Sequence, residues 1–277
     1  MNENKVIISV APVAHVGTSI PPGAKNPITP AEIATEVIGC AAAGASMVHL
    51  HVRDMTGEQT FDLATYSHTL DLIRRESDIV VQGSTGGKSN FSLAERCVSI
   101  NEPRTQVASL NMGSTNFGEG VYINTLPDIR FWIGEMRTHG VVPELEIFDV
   151  SMLASIEHLV KEGLLTEPLN FNFCLGFHGA MLADPRHLYY LSSLLPPNSH
   201  WGFIHEGMHD YRMLAAALGL GARAVRVGFE DGRHLAPDRV APNNVELVKR
   251  LVDLVALLGL EVATPAETRA QLGVKRD

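Results

Sequence analysis

Two stretches hold most of the metal chemistry this chain can offer. Val48-His49-Leu50-His51-Val52-Arg53-Asp54 sets two imidazoles two residues apart. On a strand, residues i and i+2 point to the same face. His49 and His51 then project together, while Val48, Leu50 and Val52 pack on the opposite side. Two imidazoles on one face can chelate a divalent ion, zinc most readily. They can equally be two satisfied polar residues, and the pair alone does not choose between these readings. Arg53 and Asp54 read as a supporting ion pair. Near the other end of the chain, Arg226-Val227-Gly228-Phe229-Glu230-Asp231-Gly232 puts Arg226, Gly228 and Glu230 on one face by the same alternation. If the two stretches meet, Glu230 can complete a His₂Glu set, which leaves a coordination position open for water or a carbonyl. Arg226 and Asp231 can form a dyad in which the guanidinium orients a carboxylate that moves a proton. A structural ion pair at a strand end would carry the same residues.

Three further stretches are polar where a strand would end. Gly83-Ser84-Thr85-Gly86-Gly87-Lys88 offers hydroxyls and backbone N–H groups that suit an oxyanion or a carboxylate. It lacks the GxxxxGK[ST] spacing of a phosphate loop, and Lys88 reads as solvated. Ser109-Leu110-Asn111 turns Ser109 and Asn111 to one face. Pro143-Glu144-Leu145-Glu146 does the same with two acids. Paired inward acids are seldom mere solvated charge; one can orient a histidine and the other can meet substrate. Twelve histidines are present, of which His178, His205 and His209 read as rim residues, and His68, His139 and His158, in helical stretches, as structural. Cys174 reads as an inert core thiol.

The elements that must position these residues repeat along the chain. Short β-branched, apolar runs occur at Val6–Val10, Met47–Val52, Asp78–Gln82, Gln106–Asn111, Val141–Phe148, Leu169–Cys174, His200–Ile204 and Ala224–Phe229. Their starts recur roughly every 25 to 40 residues, the spacing of βα units. The first helix is signalled by Thr29, Pro30 and Glu32 as cap, first residue and capping box, and by Gly44 as its stop. Further helices are expected at Leu63–Arg75, Ser92–Ile100, Leu126–Thr138, Met152–Lys161, Pro185–Leu194, Met208–Leu218 and Asn243–Leu258. Eight such units, evenly spaced and with no composition break, predict one α/β domain over residues 1–277, a (β/α)₈ TIM barrel. An open doubly wound sheet is the rival fold. The even run and the gathering of polar residues at strand C-termini favour the barrel.

Composition narrows the function. The 277 residues are 45% hydrophobic and 19% charged, which excludes disorder. No apolar run reaches membrane-spanning length, and Met1-Asn2-Glu3-Asn4-Lys5 lacks the pattern of a secretory signal. Three widely spaced cysteines fit a reducing cytoplasm rather than a disulfide framework. A net charge of −9 disfavours nucleic acid as partner.

Taken together, HxHxRD, Ser84-Thr85-Gly86-Gly87, Ser109-Leu110-Asn111-Met112-Gly113-Ser114, Pro143-Glu144-Leu145-Glu146, RVGFED and Val262-Ala263-Thr264-Pro265 resemble the β-keto acid cleavage enzyme family, best known for 3-keto-5-aminohexanoate cleavage enzymes. The resemblance runs over nearly the whole chain. It implies a barrel, a zinc ion, a homo-oligomer (a tetramer), and a reaction in which a β-keto acid and acetyl-CoA become acetoacetate and a new acyl-CoA. By matching positions it implies His49, His51 and Glu230 as metal ligands and Ser84, Gly87, Ser109 and Asn111 as the substrate cradle. Arg226 and Asp231 would be the catalytic dyad, and Glu144 or Glu146 a further acid. Members that take an aminated substrate carry a Glu in the loop after the first strand. Here that loop reads Ala11-Pro12-Val13-Ala14-His15-Val16-Gly17, so a neutral or anionic tail is expected, with His15 able to meet an anion. Ile204-His205-Glu206-Gly207 is bulkier and more polar than the Gly-rich family pattern there, and bears on the CoA channel or tail pocket. A zinc-dependent hydrolase or class II aldolase remains the competing enzyme reading, and a binding-only barrel the third.

Overall fold

The computed structural model describes residues 4–86, 91–197 and 199–275. Among them, eight parallel strands close on themselves: β1 (Lys5–Val10), β2 (Met47–His49), β3 (Val80–Ser84), β4 (Val107–Asn111), β5 (Val142–Ile147), β6 (Asn170–Leu175), β7 (His200–His205) and β8 (Ala224–Val227). Each pairs with the next, and β8 returns to β1 with Ile7 opposite Ala224 and Val10 opposite Val227. That last pairing makes the sheet a (β/α)₈ barrel and rules out the open sheet.

The helices are α1 (Pro30–Ala43), α2 (Leu63–Arg74), α3 (Leu93–Arg96), α4 (Leu126–His139), α5 (Ser151–Lys161), α6 (Pro185–Ser193), α7 (Arg212–Gly219), α8 (Asn244–Leu257) and α9 (Pro265–Leu272). At α1 the expected capping box is present, with the Glu32 N–H donating to Thr29 Oγ1 and the Glu32 carboxylate accepting from the Thr29 N–H. Gly44 ends the helix in the left-handed region at φ 119°, where a side chain would be strained. Two expected helices are shorter. The Ser92–Ile100 helix stops at Arg96, because Cys97 leaves helical geometry, and continues as a 3₁₀ turn over Val98–Asn101. The helix expected from Met208 begins only at Arg212.

Alternation along the strands sorts the side chains. Val6, Ile8, Val48, Val81, Leu110, Leu145, Phe173, Phe203 and Val225 belong to one large apolar cluster with helix residues such as Ile33, Leu70, Trp132 and Leu214. The alternate positions fill the barrel in layers. The bottom layer, Ile7, Met47, Val80 and Val107, packs against Ala263 and Leu272 of the C-terminal segment. α9 is tied there by Asn170 Nδ2 donating to the Leu272 carbonyl at 3.1 Å and Thr268 Oγ1 to Ser46 Oγ at 2.8 Å. Above that plug the interior turns polar, with Ser9, His49, Gln82, Ser109, Glu144, Asn172 and Arg226 all buried.

Several boundaries differ from expectation. β2 ends at His49 rather than Val52, since its pairing with β1 ends at Val48; Leu50 still donates to the Gln82 carbonyl at 3.0 Å and carries the chain on. β3 starts at Val80, not Asp78, and runs to Ser84. β8 stops at Val227, not Phe229. The loop after β4 contains an antiparallel hairpin, Thr115–Phe117 with Gly120–Tyr122, that was not anticipated. No helix of the described residues is long and apolar enough to cross a membrane.

Candidate active site

A cavity of about 540 Å³ opens at the C-terminal end of the strands, the end where barrels of this kind build their sites. His49 sits at the end of β2, and its neighbour His51 follows on the same side. Nε2 of the two rings lie 3.1 Å apart. Glu230 joins them, Oε1 at 3.7 Å from His49 Nε2 and Oε2 at 3.6 Å from His51 Nε2. Among the described residues these three form the one His/Cys/Asp/Glu group compact enough for a metal ion, one donor atom from each within 4.8 Å of the others.

Glu230 does not arrive by simple strand alternation. At Gly228 the chain takes φ 144°, and a Cβ there would stand 2.1 Å from the Ala11 carbonyl oxygen. Only glycine allows β8 to press so close to the end of β1. The turn is pinned by Glu230 N–H donating to Ala11 O at 3.2 Å and Asp231 N–H to Gly228 O at 3.0 Å.

The donors fit a divalent ion such as zinc. Bonds of about 2.0 Å to a tetrahedral zinc would separate the donor atoms by roughly 3.3 Å, near the spacings seen. His49 Nδ1 stands 2.7 Å from Gln82 Oε1. With the amide oxygen as acceptor, Nδ1 carries the proton and the Nε2 lone pair faces Glu230 and His51. Burial holds both imidazoles neutral against the pull of Glu230, His51 down to about 3. Glu230 Oε2 is buried with no hydrogen-bond partner among the described residues, an orphaned acceptor of the kind a cation satisfies. Burial would push the Glu230 carboxyl up, but Arg226 and the two histidines outweigh it and hold it below the usual range.

Arg226, on β8, grips Asp231 in a two-point pair, Nε to Oδ2 at 2.8 Å and Nη2 to Oδ1 at 2.5 Å, and reaches Glu230 Oε1 at 3.2 Å. Its Nη1 is buried without a partner. Arg226 lines the cavity, whereas Asp231 is not among the lining side chains. Burial raises the Asp231 carboxyl despite Arg226.

The two inward acids of β5 separate in role. Glu144 accepts from Asn172 Nδ2 at 2.7 Å, below the cavity. Glu146 lines the cavity, and burial, with Glu144 and Glu230 adding repulsion against the pull of Arg226, pushes it up to about 8. Ser84, Gly86 and Ser109 also line it. Ser84 Oγ accepts from the Gly86 N–H at 2.8 Å. Asn111 does not reach the cavity wall: its Oδ1 accepts from the Gly113 N–H at 3.2 Å. Gly87 and Lys88 lie outside the described residues.

Other expectations are corrected. Arg53 and Asp54 make no ion pair. Arg53 donates instead to the Ala14 carbonyl at 2.8 Å and the Val52 carbonyl at 3.2 Å, and Asp54 accepts from Thr56 N–H at 2.8 Å. Cys174 is buried but lines the cavity, its thiol raised by that burial. His178, His205 and His209 do not line the cavity; His15 does. Ile204 lines it too, while Glu206 stays outside the wall, its carboxyl pushed by burial up to about 8. Gln82 and Asn172 were missed. Both were signalled by the same parity as Ser84 and Cys174, polar residues at inward positions of a strand.

The model of one family, described as beta-keto acid cleavage enzyme, matches residues 5–274. The chain belongs to the beta-keto acid cleavage enzyme family. Curated members of similar sequence include a 3-keto-5-aminohexanoate cleavage enzyme of Fusobacterium nucleatum, 36% identical over 90% of this chain and 91% of its own. A 3-oxoadipate:acetyl-CoA acetyltransferase of Cupriavidus necator is 34% identical over 97% of this chain and 94% of its own. A 3,5-dioxohexanoate:acetyl-CoA acetone transferase of Paraburkholderia graminis is 30% identical over 99% and 97%. Among solved structures, apo ObcA superposes with a TM-score of 0.75 at 21% identity, over 91% of this chain and 66% of that one, a likeness of fold. Family membership makes the chain an enzyme, and its relatives' names divide over which keto acid is cleaved.

Proposed function

We propose that this family member is an acyltransferase in which a β-keto acid and acetyl-CoA become acetoacetate and a new acyl-CoA, with a zinc ion held by His49, His51 and Glu230. The observation that supports it best is that the donor trio and Arg226 line the floor of one cavity, with Asp231 paired to Arg226 directly behind that floor. A divalent ion bound there would supply a Lewis acid for a carbonyl oxygen.

The residues would act as follows. Ser84 and Ser109, which line the cavity, hold the acid's carboxylate through their hydroxyls. Asp231, steered by Arg226, takes a proton from the carbon between the carboxylate and the ketone. That carbon attacks the acetyl thioester, forming a C–C bond and releasing the CoA thiolate. The thiolate then adds to the original ketone carbonyl, and the bond between that carbonyl and the central carbon breaks. Acyl-CoA leaves, and the acetoacetate carbanion takes the proton back from Asp231. Glu146, protonated at neutral pH, can donate a hydrogen bond to oxygen as charge develops; Glu144 braces the layer below.

A hydrolase reading would call for ligands on further strands, and the described residues bring no additional histidine to the trio. The test is acetoacetate formation by metal-quantified protein given acetyl-CoA and a panel of β-keto acids. Turnover that needs both acetyl-CoA and bound metal sustains the proposal; cleavage without CoA overturns it. The homotetramer belongs to the same proposal and is checked by light scattering.

A further inference from the structure

The side chains above the polar floor carry information about the substrate's tail. Four rings meet in a closed circuit at the mouth: Phe117 lies 5.2 Å from Phe177, Phe177 4.8 Å from Phe148, Phe148 6.5 Å from Tyr122, and Tyr122 5.8 Å from Phe117. All four line the cavity, and Val121 of the hairpin continues the wall. Phe117 and Val121 are 38% and 54% exposed. Solvent-facing apolar side chains gathered at a cavity mouth mark a surface that an apolar group covers.

Charge around this wall is equally telling. Among the described residues the carboxylates lining the cavity are Glu146 and Glu230, both on the floor, and the side chains of the wall itself carry no charge. A quaternary ammonium would need an open ring face. Here the Arg96 guanidinium already stands over Tyr122, 5.1 Å from the ring centre, and sets a positive charge against the wall that a second cation would meet. Arg53 and His15 also line the cavity. Arg53 holds two backbone carbonyls, and His15 stands edge-on to Phe117 at 6.2 Å.

Resting on the proposed reaction, we infer that the preferred substrate is a β-keto acid with an uncharged, apolar tail, alkyl or aryl, seated against the wall of Phe117, Val121, Tyr122, Phe148 and Phe177. Each methylene covered by that wall favours the complex by about fourfold. A charge desolvated there without a partner loses about tenfold or more.

The experiment compares kcat/KM of the full-length, metal-loaded protein for 3-oxo acids of matched length with alkyl, phenyl, ammonium, trimethylammonium and carboxylate tails. The alkyl or phenyl acid is expected to lead every charged one by about tenfold or more. Val121→Glu is expected to raise KM for the apolar acid with kcat retained and to improve the ammonium acid. A lead for an ammonium, trimethylammonium or carboxylate tail with wild-type protein overturns the inference while leaving the reaction standing. Absence of turnover with every acid overturns the reaction instead. The tail preference is then read by calorimetry on 3-hydroxy acids bearing the same tails, where tighter binding of the apolar tail sustains the inference and tighter binding of a charged one overturns it.

Discussion

Nδ1 of His49 and Oε1 of Gln82 stand 2.7 Å apart between adjacent strands, β2 and β3. This bond fixes which imidazole nitrogen is left to bind a metal. Gln82→Ala is expected to weaken metal binding about 10- to 100-fold with the fold intact. Competition against a chelating dye measures it, and unchanged affinity would show that Gln82 does not orient the ring.

Removing the metal with a chelator is expected to abolish acetoacetate formation, and adding zinc to restore it. His51→Ala should abolish activity with only a small stability loss, since the ring is held at an open cavity rather than in the core. Activity of the stripped protein equal to that of the loaded one would remove the metal from the mechanism.

Asp231→Asn keeps the shape of the Arg226 partner but removes the base. We expect kcat to fall by about 10²- to 10⁴-fold with metal content unchanged. Retained turnover, measured as acetoacetate released, would transfer the proton step to another residue, with Glu146 next in line at the cavity wall.

Glu146 gives a pH dependence with a definite sign. Its carboxyl is raised by burial to about 8, so the folded protein holds this proton where the unfolded chain has lost it. Stability therefore declines as pH rises from the ordinary carboxyl range towards about 8. Activity that needs the protonated form should fall through the same upper limit. Glu146→Gln is expected to flatten the alkaline fall in thermal stability between pH 6 and pH 9. An identical fall in the variant would locate the titration elsewhere.

Gly228→Ala would force a Cβ to within 2.1 Å of the Ala11 carbonyl oxygen at φ 144°. Backbone displacement is expected to cost about 1–3 kcal/mol and to move Glu230 off the imidazoles. Thermal unfolding and metal content should fall together. A destabilised variant that keeps its full metal complement would separate the turn from the site.

The barrel was legible because each strand carried its own record: apolar residues outward, and polar ones such as His49, Ser109 and Glu144 inward, at a regular βα spacing. His51 was legible by parity even though the ladder had ended before it. Glu230 reached its place for a different reason than parity, a turn made possible by Gly228 against Ala11, a long-range contact that no local pattern contains. The Thr115–Tyr122 hairpin has no alternating run long enough to distinguish it from a loop. Its aromatic wall forms only when Phe117 and Tyr122 meet Phe148 and Phe177 from other units. Asn111 illustrates the converse: it has the right parity, but the Gly113 N–H takes its side-chain amide oxygen and the residue is not among those lining the cavity.

The apolar plug under the barrel has a kinetic consequence. With Leu272 and Ala263 closing the lower end, the mouth is the passage by which the floor is reached among the described residues. In the proposed reaction the keto acid would seat deepest, on the floor, and the long thioester would fill the doorway above it. The acid must then arrive first, and acetoacetate must wait until the new thioester has departed. Initial rates should therefore show a compulsory order through a ternary complex, with acetoacetate competing against the keto acid and acyl-CoA rebinding only the enzyme that still holds acetoacetate.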